Sequence, residues 1–242
     1  MTSGEVVYGR RAVREALRGP REVLEVWASE RAVRAEPWLA EAGPKVKLER
    51  DLSERAGTRD HQGVVALVEP FRYADAYELA AREAPLLAVL DRVTDPRNLG
   101  AVCRSADGAG ATGVVVPAHG AAVVTPAVAR ASAGAVEHLP VAVVTNLARY
   151  LEEVKGPSLW VYGATGDGGA RSMWETDLRG GVALVLGAEG KGLRPLVRRT
   201  CDALVSIPLA GRVESLNVSV AAAVLLYEAR RQRAARRADG GE

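Results

Sequence analysis

From Leu86 onward the chain alternates unbroken apolar runs with helix-like stretches, and few folds accept that pattern. LLAVLD (86–91), GVVVP (113–117), LPVAVV (139–144), SLWVYGAT (158–165) and VALVLG (182–187) have no consistent polar face. A strand apolar on both sides must be covered on both sides. These segments therefore predict buried parallel strands separated by helices that start at Leu99, Pro126 and Leu147. ALVSIPLAG (203–211) adds a last strand, a long helix follows over 217–237, and no repeat of solenoid period is visible.

With 242 residues, 48% hydrophobic and 26% charged, the chain can bury a core without help from metals or disulfides. Residues 1–70 carry shorter apolar runs (23–28, 46–48, 64–68) and read as a small mixed α/β unit. The mostly polar stretch 71–85 reads as a partly helical linker, and 86–242 as the main domain. Cys103 and Cys201 have no partners at zinc-ligand spacing, which points to a reducing, cytoplasmic compartment. The first residues lack the charged-then-apolar pattern of a leader, and no apolar run approaches the roughly 18 residues of a membrane span, so neither secretion nor insertion is expected. A net charge of +2 is too small to draw nucleic acid by bulk electrostatics, so local pattern must carry any such function.

Three segments have the residue types of a site. In LDRVTDPRNLGAVCRSADGAGATG (90–113) a strand ends at Asp91, Asn98 stands where a helix cap belongs, and Arg104 follows on the same face within about one and a half turns. An amide and a guanidinium beside a helix N-terminus, at the end of a strand, match the place where open α/β sheets hold ligands; a capped helix with a surface arginine fits equally well. In LVLGAEGKGLRP (184–195), Gly187, Gly190 and Gly192 follow a strand but fit neither the phosphate-loop nor the dinucleotide spacing, which demotes a nicotinamide-dependent oxidoreductase. A turn exposing backbone N–H and C=O groups remains, with Glu189 held in it. In SIPLAGRVESLNVSVAAAVLLYEARRQ (206–232), Ser215 has neither a basic partner nor a nucleophile elbow and reads as a hydrogen-bonding group, while Asn217 reads as a helix cap. His61, His119 and His138 share no ligand spacing, so no metal is expected. In the small unit, Arg11, Arg14 and Arg18 form one stripe of a helix over 11–18, opposite Ala12, Val13, Ala16 and Leu17. That stripe reads as a solvated face or as a phosphate contact, and the basic C-terminal tail carries the same two readings.

Taken in order, N-L-G-A-x-x-R, L-G-A-E-G-x-G-L and I-P-L-x-G-x-x-x-S-L-N-V-S-V-A resemble the signature of the SpoU/TrmH (SPOUT) family of RNA ribose 2′-O-methyltransferases. VVYGRRAVREAL and DHQGVVALV resemble the substrate-binding domain of the branch that methylates a guanosine in 23S ribosomal RNA. The resemblance implies an α/β fold: a C-terminal trefoil-knotted methyltransferase domain with a parallel sheet, preceded by a small α/β (L30e-like) RNA-binding domain. It implies S-adenosylmethionine as cofactor, against Gly187, Ile207 and Leu216, with Thr165, Pro208 and Leu209 as neighbours. By the same resemblance Arg104 is expected to act on the ribose hydroxyl, and Asn98, Glu189, Ser215 and Asn217 to orient it, the ribose or the loops. RNA contact falls to Arg10, Arg11, Arg14, Arg18, His61 and Gln62, and the substrate is a single-stranded loop of ribosomal RNA. A homodimer paired through the knotted domains, partly by the terminal helix with Val220, Val224 and Leu225, is also implied; a core-facing stripe explains those residues equally well. The alternatives are action on transfer RNA or on a ribosomal adenosine of the antibiotic-resistance type, or a catalytically silent RNA-binding ribosome-assembly protein.

Overall fold

The computed structural model describes residues 4–239, with side chains described as far as residue 235. In chain order the first elements are β1 (Glu5–Tyr8), α1 (Arg10–Ala16), β2 (Val23–Ala28), α2 (Glu30–Ala35), α3 (Pro37–Glu41), β3 (Lys45–Val46), α4 (Glu49–Ala56) and β4 (Val64–Val68). Next come α5 (Ala76–Ala80), β5 (Leu86–Asp91), α6 (Pro96–Ala109), β6 (Gly113–Pro117), α7 (Pro126–Ala131), a 3-10 turn (Ala135–Glu137), β7 (Val141–Val144) and α8 (Leu147–Val154). The chain finishes with β8 (Trp160–Ala164), β9 (Arg171–Ser172), β10 (Val182–Gly187), α9 (Pro195–Thr200), β11 (Ala203–Ser206) and α10 (Val218–Asp239). Among the described residues no helix is long and apolar enough to cross a membrane.

Two compact units divide the chain: residues up to Arg72 together with Val124–His138, and Tyr73–Val123 together with Leu139 onward. The first holds a mixed four-stranded sheet in the order β1-β4-β2-β3, with Tyr8, Trp27, Leu52 and Val65 packed in its core. Its α1 buries Ala12, Val13 and Ala16 and exposes Arg11, Arg14 and Arg18. The helix stops at Ala16, so Leu17, expected on the apolar face, is the C-cap and is 39% exposed. Residues 124–138 join this unit through a buried ion pair. Arg21 grips Glu137 through Nε (2.9 Å) and Nη2 (2.5 Å), while its Nη1 donates to the Glu69 carbonyl (3.0 Å). Removing one partner of a buried pair leaves an uncompensated charge, so Arg21→Ala is expected to cost about 3–5 kcal/mol in urea unfolding, and Arg21→Met with Glu137→Leu to recover most of it.

The second unit carries seven parallel strands in the order β7-β6-β5-β10-β8-β11-β9. β5 and β6 are buried along their whole length, as strands covered on both faces must be. The stretch 71–85, expected as a linker, is built into this unit from Tyr73 onward. Asp75 caps α5 by accepting from the N–H groups of Tyr77 (2.7 Å) and Glu78 (3.0 Å), and Ala76 and Leu79 pack into the core against Leu87, Ala142 and Tyr150. Ala74 bridges to Ala142 beside the sheet edge, and the Tyr150 hydroxyl donates to the Ala76 carbonyl. The polar residues that suggested a linker are the outer face of a short capped helix. On α10, Leu225 is fully buried while Val220 is 46% exposed, which separates two residues the sequence left together. The tail reading reaches past the described residues: nothing is described beyond residue 239, and the side chains of 236–239 also lie outside the description.

Candidate active site

The site begins at the C-terminal ends of the central strands. Asp91 closes β5 in register with Gly187 at the end of β10. The Asp91 carboxylate is fully buried and accepts from both the backbone N–H (2.8 Å) and Nε (2.6 Å) of Arg194, which fixes the start of α9. Asp95 caps α6, accepting from the Arg97 N–H at 2.8 Å, and Pro96 fills the first helical position. Asn98, expected as that cap, therefore sits in the first turn with its amide free for other partners. It donates from Nδ2 to Glu189 Oε1 (3.1 Å) and accepts at Oδ1 from Asn217 Nδ2 (3.1 Å). Asn217 Nδ2 also donates to Glu189 Oε1, and Asn217 Oδ1 caps α10 through the Ser219 N–H (2.8 Å) and hydroxyl (2.6 Å). One residue from each of the three motif segments thus meets in a closed triangle, and the two hydrogens of the Asn217 amide are shared between its two partners.

Asn217→Asp separates two roles of this residue. The variant keeps an oxygen for the cap but loses both donors and sets a second carboxylate against Glu189. A hydrogen bond to a charged group is worth about 1.5–3 kcal/mol, so the expected result is unchanged helix content with activity down roughly tenfold or more, read by circular dichroism and a methyl-transfer assay.

Beside the triangle lies a cavity of about 1200 Å³, open to solvent and lined by the loops that follow β8, β10 and β11. Thr165, Gly187, Ile207, Pro208, Leu209 and Leu216, the six expected cofactor residues, all line it, as do Glu189, Ser215 and Asn217. Gly187 is needed for close approach: a Cβ there would stand 2.1 Å from the Gly192 carbonyl carbon. Arg198 also lines the cavity and went unread in the sequence. It reaches the Thr165 hydroxyl from Nη1 (3.4 Å) and pairs with Asp167 (2.6 Å); its one signal was a basic residue one turn into the helix after the glycine loop.

Arg104 does not line this cavity. It is exposed on α6 and, among the described residues, makes no hydrogen bond or ion pair. Six residues at about 100° each set Asn98 and Arg104 roughly 120° apart, so the expected shared face does not exist. In the first unit Arg10 pairs with Glu36 (3.1 Å) and donates to the Gln62 carbonyl (3.2 Å), while Gln62 accepts the Arg10 N–H through Oε1 (3.2 Å). His61, expected to face RNA, is only 3% exposed. Its Nδ1 accepts from the Gly63 N–H and its Nε2 meets the Ser53 hydroxyl, both at 3.0 Å, so the ring braces a tight turn from inside.

Burial pushes the Cys103 thiol up to about 12 and the Cys201 thiol up to about 11, and neither is a nucleophile at neutral pH. At pH 8 the native protein is expected to react with iodoacetamide at least about 100-fold more slowly than a free thiol, and normally once unfolded. Among the described residues no group of three or more His, Cys, Asp or Glu could hold a metal ion.

Comparison with known proteins matches residues 85–227 to the SpoU rRNA Methylase family and residues 6–74 to RNA 2'-O ribose methyltransferase substrate binding. The 23S rRNA (guanosine-2'-O-)-methyltransferase RlmB of Pseudomonas putida is 44% identical over 249 residues, covering 98% of this chain and 100% of that protein. The crystal structure of the SpoU methyltransferase AviRb from Streptomyces viridochromogenes in complex with AdoMet superposes with a TM-score of 0.81 at 30% identity, over 96% of this chain and 92% of that one. A structure concerned with 2-OH methylation of C/U34 on tRNA matches only 63% of this chain over 99% of its own length, with a TM-score of 0.56 and 30% identity.

Proposed function

The chain belongs to the SpoU rRNA methylase family, and from that membership we propose that it transfers a methyl group from S-adenosylmethionine to the 2′-oxygen of a ribose, a guanosine, in 23S ribosomal RNA. The observation that carries this reading is the triangle of Asn98, Glu189 and Asn217, which ties the three motif segments together at the rim of the cavity. The cavity suits a cofactor with a flat apolar base and a polar tail. Ile207, Pro208, Leu209 and Leu216 offer apolar walls, Thr165 and Ser215 offer hydroxyls, and Gly187 keeps backbone close to backbone. When bound, the cofactor supplies a methyl group on a sulfonium, an activated donor. What the protein must add is positioning and help in removing one proton from a weakly acidic hydroxyl.

Arg104 is assigned to that hydroxyl. A guanidinium has a pKa above roughly 12, so it acts either by accepting the proton while an RNA phosphate positions it or by stabilising the developing alkoxide as another group accepts. Arg10, Arg11, Arg14, Arg18 and Gln62 of the first unit are assigned to RNA phosphate and ribose contact, with the target base in a single-stranded loop where unstacking costs least. In the proposed division of labour the first unit binds substrate and the second transfers the methyl group, with residues 73–85 assigned to the second unit and 124–138 to the first rather than to the expected 71–85 linker and 86–242 domain. A trefoil knot is proposed from family membership, in a chain where β11 lies beyond β8 and α10 packs back on α6. A homodimer is proposed for the apolar side chains that α10 leaves exposed at Val220 and Tyr227, and a cytoplasmic site of action follows from a ribosomal substrate.

Action on transfer RNA is the weaker reading, because the tRNA-directed structure finds no counterpart for about a third of this chain. The test is transfer of labelled methyl to protein-free 23S rRNA, followed by mapping of alkali-resistant positions. One labelled guanosine in a loop supports the reading; a labelled adenosine, or label on transfer RNA alone, moves the substrate; no label together with no cofactor binding favours the silent RNA-binding alternative.

A further inference from the structure

Arg92 adopts φ +61°, a left-handed conformation that a long side chain pays strain to hold and glycine adopts freely. It directly follows Asp91, whose carboxylate is already taken by Arg194, so Arg92 gains no ion pair from its neighbour. Among the described residues its guanidinium makes no hydrogen bond or ion pair; it passes over Gly120 in the loop after β6, with Nε 3.8 Å from where a Cβ of Gly120 would stand. Arg97 has the same freedom. Its backbone N–H is bound by Asp95, yet its side chain is exposed and, among the described residues, without partner. Seven residues separate Arg97 from Arg104, which sets the two on one stripe of α6, about 20° and 10 Å apart. Three unpaired guanidinium groups thus belong to the end of β5 and the exposed stripe of α6, with Asp95 partly spent on its cap and Asp107 the other carboxylate on that helix.

We propose that Arg92 and Arg97 grip backbone phosphates of the substrate RNA on the strand that carries the nucleotide engaged by Arg104. Both are positioning residues, and the inference rests on the methyltransferase reading above. Phosphate oxygens are the ligand such unpaired guanidinium forks suit, and the strain at Arg92 is the cost of holding a cation where glycine folds more easily.

The experiment uses the full-length protein with 23S rRNA, starting from wild-type turnover; if the wild type methylates no RNA, the functional reading fails first and this inference falls with it. With the wild type active, Arg92→Gly and Arg97→Ala are compared in KM for RNA, kcat at saturating RNA, and the salt dependence of RNA binding. The expected result is a raised KM, unchanged kcat and cofactor affinity, and a log–log salt slope reduced by about 0.7 for each lost phosphate contact. Arg97→Lys restores most of the loss, and Arg92→Gly weakens RNA binding without lowering the melting temperature, which separates gripping from a structural role. Unchanged KM and slope in both variants overturn the proposal, as does a loss of kcat with KM unchanged.

Discussion

Arg104→Ala loses methyl transfer by at least about 10²- to 10³-fold while cofactor affinity and stability stay at wild-type level. The separation of these readouts follows from where the residue stands. Arg104 is exposed on α6, has no partner among the described residues, and does not line the proposed cofactor cavity, so its removal costs neither folding contacts nor contacts to a cofactor held there. On the proposed role, what it loses is a cation beside the developing alkoxide, or the group that takes the proton, and both act only in the transition state. Single-turnover rates at saturating RNA and cofactor, with calorimetry of cofactor binding, check the claim. A variant with wild-type turnover would show that the arginine has no part in the chemistry. Arg104→Lys keeps the charge but not the planar fork, and partial rescue is expected if charge stabilisation dominates.

Gly187→Val is the second large effect. A Cβ at this position would meet the Gly192 carbonyl carbon at 2.1 Å, its oxygen at 2.3 Å and the Leu193 nitrogen at 2.4 Å, all backbone atoms of the loop that walls the cavity. No side chain can swing aside to relieve that contact, so the loop itself must move. Overpacking of this kind costs about 1–3 kcal/mol, and here the displaced wall belongs to the binding site, so cofactor affinity is expected to fall by about 100-fold or more. Gly190→Ala is the matched control. Gly190 sits at φ +71° with nothing within 4 Å of a Cβ, and the expected result is about 1–2 kcal/mol of strain with cofactor binding retained. Calorimetry with S-adenosylmethionine and a melting curve for both variants distinguish a blocked site from a merely strained turn.

The parallel sheet was legible because strands such as LLAVLD and VALVLG have no polar face, and that pattern survives in the fully buried β5. The cavity residues were legible only through the motif resemblance, since Gly187, Ile207 and Leu216 are separated along the chain and no periodicity links them. Asn98 was misread as a cap because Asp95, three residues earlier and followed by proline, satisfies the helix end better and releases the asparagine for Glu189 and Asn217. The stretch 71–85 reads as partly helical, but its attachment to the second unit was not legible, because only Ala76 and Leu79 of α5 turn inward and that is too small a signal to outweigh the flanking prolines. His61 entered the RNA-contact set through the resemblance alone, and only the fold reveals that both ring nitrogens are used inside. The attachment of 124–138 to the first unit includes the Arg21–Glu137 pair and the packing of α7 against β1, contacts across more than 100 residues that no local pattern announces.

The most direct test of the central claim is nucleoside analysis of 23S rRNA after reaction with this protein and S-adenosylmethionine. The account predicts a single new nucleoside, guanosine methylated on the 2′-oxygen, with an unmodified base, absent when Arg104 is alanine. A methyl group on a base, or a ribose methylated equally well by the Arg104→Ala protein, would contradict it.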